Sequence, residues 1–181
     1  MKKIYIGFCV LLLVYMILPG PGKISDFKAL PDSYKSALAG DNIAQVSNVA
    51  GYFSDNYREF VTSFYSKDYK DKTWLPFPPL RLNHPPEFSW NVIKKHTDST
   101  YLEELVYPLR DSIYVNGFEP YYVDKTPKYW GASQFSENGN TWFTKVTLRF
   151  YPSNIFIKFL VWLGIAASVA CLYRLGKRII F

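Results

Sequence analysis

The chain has 181 residues, with 21 Lys plus Arg against 15 Asp plus Glu and only two cysteines. The surplus of +6 does not describe one basic surface: residues 23–152 carry 15 basic and 15 acidic side chains, and the excess is Lys2, Lys3, Lys158, Arg174, Lys177 and Arg178, beside two apolar ends. A nucleic-acid-binding domain needs a concentrated basic face to release counterions, so that class is not expected.

Residues 1–22 read as an N-terminal membrane segment with a Pro-Gly linker. Ile4 to Leu18 is fifteen residues of apolar chain behind Lys2 and Lys3, just short for a spanning helix and at the top of the range for the core of a signal peptide. Gly20 and Gly22 have the spacing that a signal peptidase requires, but Pro19 and Pro21 make the site unusual, and an uncleaved anchor is the preferred reading. Under either reading residues 23–152 form an extracytoplasmic domain. That domain contains no cysteine and no Asn-x-Ser/Thr acceptor, so packing alone must hold it, and a bacterial envelope protein is expected.

Within it, Asp32 is placed to cap a short helix over Ser33 to Leu38, which Gly40 stops, and Asp41 is placed to cap a longer one. Ile43, Val46, Val49, Phe53, Tyr57, Phe60 and Phe64 step by three and four, which predicts an amphipathic helix of about six turns. Its aromatic stripe makes Phe53, Tyr57, Phe60 and Phe64 candidates for binding a partner protein, with core packing as the alternative role. The five prolines of residues 74–86 predict an extended strap, and a helix is expected over Glu87 to Lys95. Residues 101–109 carry both a capping-box pattern and a β-like run, and stay open between helix and strand.

Two Asn-Gly pairs, Asn116-Gly117 and Asn138-Gly139, predict two tight hairpins, the first joining Ser112–Val115 to Phe118–Val123. The second leads into a strand where Trp142, Thr144, Val146, Leu148 and Phe150 share one face. Only Pro152, Ser153 and Asn154 then separate this strand from the next apolar run.

That run, Ile155 to Tyr173, predicts a transmembrane helix within residues 153–174. Lys158 snorkels at one end, and the short basic tail, residues 175–181, places the C-terminus in the cytoplasm by the positive-inside rule. Two antiparallel spans would bring Cys9 and Cys171 to similar depth, and Gly164, Ala167 and Ser168 would offer a close-packing face; Cys9, Cys171, Gly164 and Ser168 are the candidate transmembrane contacts.

No nucleophile elbow, Walker or dinucleotide motif occurs, and His84 and His96 lack zinc-site spacing, so no catalytic, metal or cofactor site is expected. The carboxylates Glu87, Glu103, Glu104 and Glu119 keep a glycan hydrolase as a third reading. Twenty-six of the 130 residues in 23–152 are aromatic, more than a small core needs, so some rings should face solvent. Trp130 and Trp142 are the candidates for stacking on cell-wall glycan. The expected fold is α+β, an antiparallel sheet with two Asn-Gly hairpins packed by an amphipathic helix and flanked by N- and C-terminal transmembrane helices. The expected function is that of a non-catalytic scaffold or assembly component in the bilayer, binding another envelope protein or itself, with an envelope-glycan binding module as the alternative.

Overall fold

The computed structural model describes residues 2–38, 47–88 and 99–180. In chain order its elements are α1 (Lys2–Ile17), a 3-10 turn (Ile24–Asp26), β1 (Ser33–Lys35), β2 (Val49–Ser54), α2 (Arg58–Asp71), β3 (Leu80–His84), a 3-10 turn (Pro86–Phe88), β4 (Tyr101–Val106), β5 (Ser112–Phe118), β6 (Phe135–Glu137), β7 (Asn140–Trp142), β8 (Thr144–Tyr151) and α3 (Ile155–Ile180). The chain divides into two compact units, one from Gly20 to Pro152 and one from the two terminal segments.

The first unit is built around β8. Its period-two pattern puts Thr144, Val146, Leu148 and Phe150 on one face, all buried, as the alternation predicts, but Trp142, expected on the same strand, lies on β7 in a separate sheet because the chain bends at Phe143. β8 pairs antiparallel with β2 on one side and β5 on the other, and the full sheet runs β1-β2-β8-β5-β4-β3, antiparallel throughout. Helix α2 covers one face. Tyr69 on α2 meets Phe150, Phe27 and Tyr107 with ring centroids 6.4, 5.5 and 5.0 Å away, and its hydroxyl donates to the Asp111 carbonyl at 2.8 Å. The aromatic excess is thus partly a core: each buried Tyr fills a large volume, and the Tyr69 hydroxyl still reaches an acceptor.

The long helix expected through Val49, Phe53 and Phe64 is two elements. All six residues of β2 are buried, so no one-sided pattern was available there, and the three-four spacing of its apolar residues is incidental to a strand placed inside the sheet. The break follows at Ser54–Asn56, where the Thr144 hydroxyl lies within hydrogen-bonding distance of the Ser54 and Asn56 carbonyls, at 2.7 and 2.9 Å. Asp41, Ile43 and Val46 lie outside the described residues. The short helix expected over Ser33 to Leu38 is replaced by β1, because β2 offers its backbone edge as a partner.

Residues 101–109 resolve toward strand. Pro108 lies beyond β4, which ends at Val106. Of the proline-rich strap, Leu80–His84 is extended as expected and becomes an edge strand on β4, whereas Trp74, Pro76 and Phe77 lie at bends and Pro86 opens a 3-10 turn. Of the helix expected over Glu87 to Lys95, a 3-10 turn occupies Pro86–Phe88, and residues 89–98 lie outside the described residues.

The two Asn-Gly pairs behave differently. Asn138 and Gly139 both take positive φ, 50° and 80°, and turn the β6–β7 hairpin as expected. Asn116 and Gly117 instead lie inside β5, paired with Leu102 and Tyr101 on one side and with Thr147 and Val146 on the other. The first predicted hairpin is therefore absent: Gly117 answers a need for space against Tyr101 and makes no turn.

In the second unit, α3 contains a 25-residue stretch, Ile155–Ile179, long and apolar enough to cross a membrane by length and composition. At about 1.5 Å per residue this is roughly 38 Å. Helix α1 has 16 residues, about 24 Å by the same rise, which is short of a hydrocarbon core of roughly 30 Å. The two helices pack antiparallel, with Tyr5 Oη donating to the Ala166 carbonyl and Trp162 Nε1 donating to the Cys9 carbonyl, both at 2.8 Å.

Candidate interaction site

Between β5 and β6 the sequence EPYYVDKTPKYWGAS mixes turn formers with rings at no helical or strand period, so local chemistry decides its shape. It forms a tied loop. Tyr122 N–H donates to the Thr126 carbonyl at 2.8 Å, Lys125 N–H to Tyr122 at 2.9 Å and Lys128 N–H to Pro120 at 2.9 Å. Asp124 accepts from both the backbone and the hydroxyl of Thr126, and these bonds hold its carboxyl below the usual range. Two phenols fasten the loop at its base: Tyr121 Oη donates to the Ala132 carbonyl at 2.8 Å, and Tyr57 Oη donates to the Tyr122 carbonyl at 2.5 Å. The Tyr121 ring also meets Phe143 edge-on at 5.2 Å.

This scaffold leaves four apolar side chains outside: Tyr122, Val123, Tyr129 and Trp130, the last 100 % exposed. A fully solvated indole gains nothing for the fold, since it removes no apolar area from water. Rigid, amphipathic rings held out on an ordered loop are instead suited to a protein interface or to the face of a sugar. Trp130 was legible as a candidate from its residue type alone. Tyr122, Val123 and Tyr129 carry no such signal in their residue type; their lack of periodicity among Pro, Asp, Lys and Gly is the only local sign of exposure.

The other sequence candidates are dispersed. Phe53 lies on β2, 2 % exposed, stacked on Phe135 of the β6–β7 hairpin at 5.3 Å. Tyr57 is the N-cap residue of α2 and anchors the loop through its hydroxyl. Phe60 and Phe64 stack on each other along α2 at 6.2 Å, with Phe60 49 % exposed and Phe64 half-buried. The predicted four-residue aromatic face is therefore a two-residue one. Trp142 is half-buried on β7 opposite Phe135.

Two of the four carboxylates considered for hydrolysis, Glu103 and Glu119, are engaged with cations. Glu103, 0 % exposed on β4, accepts from Arg58 Nε at 2.5 Å and from Arg81 Nε and Nη2 at 2.5 and 2.7 Å. Burial alone would raise its pKa, but the hydrogen bonds from Arg81 and Arg58 outweigh burial and the net shift is downward. A general acid in glycoside hydrolysis needs the opposite shift. Glu119 accepts the Arg58 backbone N–H at 2.6 Å, capping α2 from outside its own sequence, and faces Lys128 Nζ at 3.4 Å. Glu104 pairs with His84 at 3.0 Å, while burial and then the Glu104 charge push the neighbouring Tyr114 phenol up to about 12. Glu87 is exposed in the 3-10 turn after β3. Among the described residues no group of His, Cys, Asp and Glu is arranged to hold a metal ion.

In the helix pair, the bonds of Tyr5 to Ala166 and Cys9 to Trp162 define the register. Cys171 lies nine residues along α3 from Trp162, roughly 13 Å at the helical rise, so the expectation that Cys9 and Cys171 share one depth is corrected; both thiols are free. Gly164 has open space where a Cβ would point, and Ser168 is exposed, so the close-packing face they form is turned away from α1.

Comparison with protein-family models, with curated proteins and with solved structures finds no match to this chain.

Proposed function

We propose that this chain is a membrane-anchored, non-catalytic assembly component of a bacterial envelope, with Gly20–Pro152 outside the cytoplasmic membrane, both α1 and α3 in the bilayer and the basic C-terminal tail in the cytoplasm. The observation that carries the binding role is Trp130, wholly solvated on a loop that hydrogen bonds tie in place both across its turns and at its base. Large interface anchors are enriched in Trp and Tyr, and their pre-ordering lowers the entropy lost on binding. The Phe60–Phe64 stack offers a second, smaller contact on α2. The distribution of charge supports the topology: all acidic residues lie between Asp26 and Glu137, and the basic ends follow the positive-inside pattern.

The test is native mass spectrometry of tagged full-length chain extracted from its own membrane in mild detergent, wild type beside Trp130→Ala with Tyr129→Ala. A larger complex in the wild type that disperses in the double variant supports the reading. A lone wild-type subunit overturns it. The same exposed indole favours the second reading, an envelope-glycan binding module, because a flat ring stacks on the apolar face of a sugar. Sedimentation with isolated cell-wall polymer, lost in Trp130→Ala, would select that reading.

A further inference from the structure

We infer that the basic end of the α1–α3 pair is a binding site for an anionic phospholipid, an inference that rests on the reading that these helices lie in a bilayer. Beyond the Tyr5–Ala166 hydrogen bond the helices flank a half-open cleft of about 670 Å³ between Ile4 and Phe8 on α1 and Val169 and Ala170 on α3. Its mouth carries Lys2, Arg174 and Lys177. The volume falls within the roughly 300–1,000 Å³ of small-molecule sites.

Two features of the lining demand different things of an occupant. The walls are mostly apolar, formed by Ile4, Phe8, Val169 and Ala170 together with the rings of Tyr5 and Tyr173. The mouth holds three cations, and neither α1 nor α3 contains an acidic residue to neutralise them. Among the described residues no ion pair involves any of the three. A soluble anion would satisfy the cations and leave the walls wet; a neutral lipid would cover the walls and leave the cations without a counter-charge. A phospholipid with net negative charge meets both, its phosphate between Arg174, Lys177 and Lys2 and its acyl chains along Ile4, Phe8 and Val169. Arg174 suits the role because its planar fork can bind two phosphate oxygens at once.

The experiment uses full-length protein in detergent micelles, incubated with equal amounts of dioleoyl-phosphatidylglycerol and dioleoyl-phosphatidylcholine and read by native mass spectrometry. The expected result is retention of the anionic lipid over the neutral one by about tenfold, unchanged by excess inorganic phosphate and abolished in Arg174→Gln with Lys177→Gln. Lys2→Gln, on the other helix, should weaken the preference while leaving α3 intact. Equal retention of both lipids by the wild type, the same preference in the double variant, or displacement by inorganic phosphate would each overturn the site. Carbonate extraction of the source membranes separates the two levels: a chain released by carbonate overturns the bilayer reading itself, whereas an embedded chain without lipid preference overturns the lipid site alone.

Discussion

A Cβ on Gly117 would lie 2.0 Å from Cε1 of Tyr101, because the Tyr101 ring lies across the bare backbone of its cross-strand partner. The ring has no room to retreat: Tyr101 is buried, with the Arg58 guanidinium 5.5 Å from its centroid. Gly117→Ala should therefore destabilise the domain by about 3 kcal/mol, the upper range for overpacking a core. Thermal unfolding of full-length protein checks this, and Tyr101→Ala should recover part of the loss in the Gly117→Ala background, because the clash needs both groups.

Glu103 joins α2 to β3 and β4 through Arg58 and Arg81. Glu103→Gln removes the charge but leaves both arginines, and because these are about one-third exposed the cost should be about 2 kcal/mol, below that of a fully buried pair. The pH dependence has a definite sign. The folded pKa is depressed, so the stabilisation is complete above the ordinary glutamate range near pH 4.3 and is lost as pH falls through the folded value. Acid titration of unfolding should show a smaller loss of stability in Glu103→Gln than in the wild type below about pH 4.

Phe60 and Phe53 share one apolar stripe in the sequence but should separate cleanly on substitution. Phe60→Asp at the solvent face of α2 should cost under about 1 kcal/mol, while Phe53→Asp should prevent folding, since losing a buried Phe costs about 3–5 kcal/mol before any charge is buried. Circular dichroism distinguishes them. If Phe60→Asp with Phe64→Asp leaves the domain folded and disperses the native complex, the α2 stack is part of the interface; if the domain unfolds, the stack belongs to the core.

Trp130→Ala should leave stability unchanged within about 0.5 kcal/mol, because a fully solvated side chain contributes no buried area. Its effect should fall on association, where loss of a Trp anchor costs about 2 kcal/mol or more, a roughly thirtyfold weaker partner affinity. Unchanged affinity in this variant would move the interface away from the loop.

Gly139 at φ 80° turns the hairpin whose Phe135 stacks on Phe53 and meets Phe118 edge-on. Gly139→Val should cost about 1–2 kcal/mol through left-handed backbone strain. Proteolysis should then cut near the turn before the rest of the domain is lost.

How far the chain could be read in advance varied with how local the governing physics was. The apolar run of α3, the alternation of β8 and the Asn138-Gly139 turn were legible because each depends on neighbouring residues: hydrocarbon length, a half-buried face, and positive φ. The α+β class and the antiparallel sheet followed from them. Trp130 was legible as a candidate from its type, and the loop around it was not, since its ties run from Tyr57 and Ala132 as well as from its own residues.

What only the tertiary structure decided is where burial and partners come from distant chain. β2 sits inside the sheet and is buried throughout, which erased the alternation that would have marked it as a strand. Asn116-Gly117 has the sequence of a turn and the environment of a central strand, because Tyr101, sixteen residues earlier, needs the space that only glycine leaves. Glu103 sits in a stretch that local pattern leaves open between helix and strand, and only the arrival of Arg58 and Arg81 from α2 and β3 makes it a buried ion-pair centre. Local pattern determined what each segment can be; long-range pairing decided which of those options buries the most apolar surface.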